Sequence, residues 1–168
     1  MKTIIDRYFP AKNWTTLAMI VLGFWLSSSL VIDLVILPGL SVSGMMTQNG
    51  FASAGYLVFG IFNRLELLCA ALVLCSFLVF HRYHTLLHLP EHRSLLFAGL
   101  LFGITVIYTY FLTPNLSGFG LLDPLTSASG MPAGMMPLQI GYWLLEVLKL
   151  ALGVTLLRWC FRDSFKLA

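Results

Sequence analysis

Seven side chains able to pair, hydrogen-bond or exchange protons lie inside long apolar runs: Asp33, Asn63, Arg64, Glu66, Tyr142, Glu146 and Lys149. Five of them are ionic, out of the 10 basic and 7 acidic residues in the whole chain. A charged side chain near the centre of a bilayer costs about 2.5–3.5 kcal/mol on insertion scales, so such groups normally pair inside a bundle and mark functional sites. Three carboxylates (Asp33, Glu66, Glu146) face two cations (Arg64, Lys149). Full ionisation would leave an unmatched negative charge in low dielectric, and one carboxyl is expected to hold a proton. Glu146 is the expected carrier, because Lys149 one turn along the same helix can stabilise its ionised form. Arg64 is expected to pair with Glu146 or Glu66. Two readings of the set compete: an ion-pair network that fixes helix order, and a proton or ion relay.

Positioning these groups requires elements that cross lipid. The 168 residues are 58% hydrophobic and only 10% charged, against roughly 25% charged in soluble domains. Apolar runs predict spans at about 17–39, 52–80, 95–113 and 138–159 in a single membrane domain; the first, third and fourth are near the roughly 20 residues that cross the hydrocarbon, and the second is long enough to extend beyond it. The expected fold is an all-α four-helix bundle embedded in the bilayer. Trp25, Ser29 and Asp33 fall on one face of the first span, Gly60, Asn63, Glu66 and Ala70 on one face of the second, and Tyr142, Glu146, Lys149 and Gly153 on one face of the fourth. Pro38-Gly39 is expected to end the first span. In the third, Gly99-x-x-x-Gly103 is expected to pack against a neighbour within the bundle, with a dimer face as the alternative.

Lysine and arginine outside the spans or at their very ends number three in the N-terminal tail, two in 82–93 and three at the C-terminal end (Arg158, Arg162 and Lys166), with none in the other two connections. That asymmetry puts both termini and the middle loop in the cytoplasm.

Other chemistry is thinner. His81, His84 and His88 follow helical spacing and are weak metal-ligand candidates, with His92 beyond Pro90; a hydrated interfacial segment is the plainer account. Met45, Met46, Met131, Met135 and Met136 fall on the expected outer side, where thioethers would suit Cu(I) but also simply cover the bundle mouth. Cys69, Cys75 and Cys160 form no C-x-x-C pair. No phosphate-binding loop, hydrolase elbow or basic-aromatic stripe is present, so no catalytic residue, cofactor or nucleic-acid partner is assigned.

The segments running from Gly23 to Gly39, Phe59-Gly-Ile-Phe-Asn-Arg-Leu-Glu66, Tyr108-Thr-Tyr-Phe-Leu-Thr-Pro114 and Tyr142-Trp-Leu-Leu-Glu-Val-Leu-Lys149 together resemble the family catalogued as domain of unknown function 4149, in its cyanobacterial branch, which is related to the transmembrane-protein-205 group. The resemblance covers nearly the whole chain. It implies a four-span membrane domain without an agreed activity, in the plasma membrane or, for a cyanobacterial member, the thylakoid. Many members carry a histidine early in the last span; here that stretch reads Leu138-Gln-Ile-Gly-Tyr142, so a mechanism resting on that imidazole does not carry over. Small size and the lack of a substrate motif favour a structural or assembly component of a membrane complex, or a homo-oligomer. The alternative is a small proton-, ion- or metal-handling unit built on the charged network.

Overall fold

The computed structural model describes residues 11–45, 51–83, 91–115 and 135–166. Among them every regular element is helical. Helix α1 (11–42) runs through Ala11–Val31, a π-helical turn Ile32–Ile36 and Leu37–Val42. Helix α2 is Phe51–Tyr83. Helix α3 begins as Glu91–Ile107 and widens into a second π-helical turn, Tyr108–Leu112. Helix α4 is Met135–Lys166. Within them, Trp14–Leu40, Ala54–Val79, His92–Asn115 and Ile140–Arg162 are each long and apolar enough to cross a membrane.

The helices form a ring in which α1 packs on α2, α2 on α3, α3 on α4 and α4 back on α1. Helices α2 and α4 therefore stand across the ring from each other. The outer surface carries Ile20, Phe24, Leu57, Leu68, Leu96, Phe111, Leu144, Val147 and many other exposed large apolar residues, while Asp33, Glu66, Glu146 and Lys149 are buried. Soluble proteins distribute these residue types the other way round, and so extensive an apolar surface needs a covering.

The two π-helical turns have a common local cause. Each is followed by one residue and then a proline: Ile32–Ile36 by Leu37 and Pro38, Tyr108–Leu112 by Thr113 and Pro114. Proline offers no N–H and its ring crowds the carbonyl one turn back. A one-residue slip in the ladder relieves both problems, and the Leu37 N–H bonds to Ile32 O and the Thr113 N–H to Tyr108 O. The first apolar segment ends at Leu40, beside the Pro38-Gly39 expected to close that span, although the helix itself does not break there. The helix continues to Val42 and stops where Gly44 takes a φ of 70°, a conformation that suits glycine.

A correction concerns the glycines. A Cβ built on Gly99 or Gly103 would meet nothing within 4 Å, and Gly99 is exposed, so this pair faces out of the bundle. The close approach is at Gly153, where a Cβ would lie 2.7 Å from Leu26 Cδ2 of α1. Spacing alone does not say which helix face a small pair occupies; the buried stripe does, and in α4 it runs on from Glu146 and Lys149 through Leu152 and Gly153.

Candidate functional site

Helical periodicity turns Glu66 of α2 and Glu146 and Lys149 of α4 toward the ring's interior, and Asp33 of α1 joins them from the first π-helical turn. Relative exposure is 4% for Asp33 and 2% for each of the other three. The Lys149 ammonium crosses the ring: its Nζ is 2.6 Å from Glu66 Oε1 and 2.7 Å from Glu146 Oε1. These contacts are not equivalent. Lys149 is aligned to donate a hydrogen bond to Glu66, whereas Glu146 Oε1, though ion-paired by distance, has no hydrogen bond of acceptable geometry. We take Glu66 as the acceptor of the directed bond and Glu146 as held by proximity alone.

Glu66 Oε1 also accepts from Trp25 Nε1 at 2.9 Å and Ser29 Oγ at 3.0 Å. With three donors converging on one oxygen, Glu66 is fixed as an acceptor. Glu146 has a more ambiguous neighbourhood. Tyr108 Oη, from the second π-helical turn, lies 3.0 Å from Glu146 Oε2 and 3.1 Å from the Tyr142 carbonyl oxygen. A phenol has one hydrogen, and a carbonyl can only accept. When Tyr108 donates to Glu146, the carbonyl contact is not a donated bond; when it donates to the carbonyl, its oxygen is free to accept from a protonated Glu146. Tyr142 Oη donates to Asp33 Oδ1 at 3.0 Å. The Tyr108 ring lies 5.3 Å from Lys149 Nζ and 5.3 Å from the Tyr142 ring, so cation and phenols pack as one unit.

Asn63 is buried one turn before Glu66 in α2 and donates from Nδ2 to Thr113 Oγ1 of α3. It belongs to the same end of the bundle but to a separate bond.

Arg64 is not brought in. It is exposed and, among the described residues, makes no ion pair. Two residues along a helix are about 200° of rotation, so an inward Glu66 sends Arg64 outward. The expected pairing of Arg64 with Glu146 or Glu66 is therefore replaced by Lys149 with both. In the buried cluster the balance becomes three carboxyls to one ammonium.

The sequence singles out neither Trp25 nor Ser29 as a ligand of Glu66, though their shared face with Asp33 is visible in it; Tyr108 has only its place six residues before Pro114 as a signal. Among the described residues no group of three or more His, Cys, Asp and Glu is arranged to hold a metal. His81 and His92 bring their rings to 5.7 Å, while His84 and His88 lie outside the described residues. Of the methionine set, Met46 and Met131 lie outside them too, as do the side chains of Met135 and Met136; Met45 is exposed at the end of α1. Cys69 and Cys160 are buried and Cys75 exposed, all as free thiols.

No protein-family model, curated protein or solved structure matches the chain.

Proposed function

We propose that the four helices cross a bilayer and that the Asp33–Glu66–Glu146–Lys149 cluster is a proton-exchange site in a small proton- or ion-handling membrane unit. One observation carries this reading: a single buried ammonium pairs with two buried carboxyls, Glu66 and Glu146, while a third, Asp33, is buried on the Tyr142 hydroxyl, and the Tyr108 hydroxyl is set between Glu146 and a carbonyl so that it suits either protonation state of Glu146. Removing one charge of a buried pair costs about 3–5 kcal/mol, and unmatched carboxylates in low dielectric take up protons instead. Glu146 is the exchanging group, because Glu66 is held by three donors.

The test is Glu146→Gln. A carboxyl infrared band that titrates in the wild type should vanish in the variant, and pH-dependent flux in liposomes should vanish with it, while the variant still folds. A band that persists unchanged would sink the assignment. Orientation is part of the same proposal: with the termini cytoplasmic, cysteines placed at Ser43 and Ser127 should label from outside and one at His88 only after permeabilisation. External labelling at His88 would reverse it.

A second reading, a subunit of a larger membrane complex, is supported by a separate observation. Arg64 points away from the bundle near the middle of the segment Ala54–Val79.

A further inference from the structure

Away from the segment ends, Arg64 is the one charged side chain of the four apolar segments that the described bundle leaves uncovered; Asp33, Glu66, Glu146 and Lys149 are all buried. It is the eleventh of the 26 residues in Ala54–Val79, which places its Cα about 4 Å from that segment's midpoint at the usual helical rise. Its surroundings on α2 are Leu57, Ile61, Leu65 and Leu68, all exposed. One turn back, Gly60 would meet nothing within 4 Å if it carried a Cβ, so the surface beside the guanidinium is flat and open.

Three occupants can be weighed by charge and reach. A lipid phosphate is too far. With a hydrocarbon half-thickness of about 15 Å, the nearer edge is about two helical turns from Arg64, and its three-methylene stem covers roughly one. A second copy of this chain is poorly matched. All three of its intramembrane carboxyls are buried in its own bundle, and a two-fold contact on this face would set guanidinium against guanidinium. What remains is a different chain.

We propose that the outward face of α2 around Arg64 docks a transmembrane helix of a different protein, one that carries an aspartate or glutamate near the middle of its own span. This rests on reading the chain as a subunit of a larger membrane complex. The bond is a charge-assisted pair in low dielectric, and guanidinium is suited to grip a carboxylate through two parallel hydrogen bonds. Leu57, Ile61, Leu65 and Leu68 form the apolar surround.

The experiment combines native membranes and exchangeable charge. A photo-cross-linking residue at Ile61 or at Leu68 should yield an adduct with another protein whose cross-linked span contains a carboxylate. Arg64→Leu should abolish the large native species seen for the wild type in mild detergent, and Arg64→Lys should retain it. The partner's neutral-amide variant should abolish it equally, and the swapped pair, Arg64→Glu with the partner's carboxylate changed to arginine, should restore it. Adducts with lipid alone or with a second copy overturn the proposal. A large species that survives Arg64→Leu also overturns it while leaving the subunit reading standing; a wild type that runs as a lone chain with lipid adducts only removes both.

Discussion

The two halves of the bundle hold the same four helices together by different means. From the level of Glu66 to the end where α2 and α4 begin, the contacts are directional: Trp25 and Ser29 on Glu66, Lys149 between Glu66 and Glu146, Tyr108 on Glu146, Tyr142 on Asp33, Asn63 on Thr113. Toward the other end the helices meet through Ala18, Leu22, Val73, Phe77, Leu101 and Leu156, with Phe97 stacked on Trp159 at 5.3 Å. The buried Ser76 hydroxyl in that half turns back to the Leu72 carbonyl of its own helix. Thr15 and Ser94 are buried there too, but a half held mostly by aliphatic and aromatic packing tolerates more than one helix order. The polar half does not, because Lys149 reaches Glu66 only when α2 and α4 face each other across the ring. The difference assigns the directed contacts that fix helix order to one end of the molecule, and tight closure to the other.

The sharpest way to break this comparison is to remove the cation. Lys149→Met leaves Glu66 and Glu146 facing each other without a counter-charge, a loss of about 3–5 kcal/mol for a severed buried pair, and the folded fraction in mild detergent should collapse. Leu156→Ala in the apolar half costs a comparable amount, about 2–5 kcal/mol, so magnitude alone does not separate the halves. Rescue does. Adding Glu66→Gln should recover much of the Lys149→Met loss, since a neutral amide can stay buried with the Trp25 and Ser29 groups rearranged around it, and should do nothing for Leu156→Ala. Failure of rescue would mean that Lys149 acts through packing rather than charge.

Trp25→Phe retains an aromatic ring but deletes one donor to Glu66 and, the indole being larger than phenyl, also leaves a small cavity. A hydrogen bond to a charged group contributes about 1.5–3 kcal/mol, and the lower figure is expected because Ser29 and Lys149 continue to donate. The thermal midpoint of the purified chain should fall, and by less than in Lys149→Met.

The stripes behind this cluster were legible in the sequence because helical spacing is a local property: Trp25, Ser29 and Asp33 on α1, and Tyr142, Glu146 and Lys149 on α4, each repeat at three or four residues. The partnership between stripes was not, since it depends on the order of helices around the ring, and no residue of α4 announces that it stands opposite α2. Arg64 shows the limit most clearly. Counting charges pointed to a pair with Glu66 or Glu146, while the 200° separating it from Glu66 along the helix already ruled out a shared face. Pro38 and Pro114 were informative in another way: a proline in a long apolar run reads as a stop, but here each follows a widened turn that carries Asp33 or Tyr108 into the cluster.

The smallest effect tests where the halves join. Gly153 lies against Leu26, the neighbour of Trp25, and a methyl there would come within 2.7 Å of Leu26 Cδ2 and 3.4 Å of its Cγ. The tip of Leu26 can rotate, but Leu26 is itself buried, so its new rotamer displaces further side chains; overpacking of this kind costs about 1–3 kcal/mol. Alanine also gains about 1 kcal/mol over glycine in helix propensity, so the net destabilisation of Gly153→Ala should be on the order of 1 kcal/mol. Gly103→Ala isolates the second term, because nothing lies within 4 Å of its added methyl. The two substitutions should therefore move the thermal midpoint in opposite directions, Gly103→Ala upward and Gly153→Ala downward. A downward shift at both would mean that the Gly99–Gly103 face is covered in the protein as purified, and a rise at both would mean that α1 and α4 have room to part beside Trp25 without disturbing its bond to Glu66.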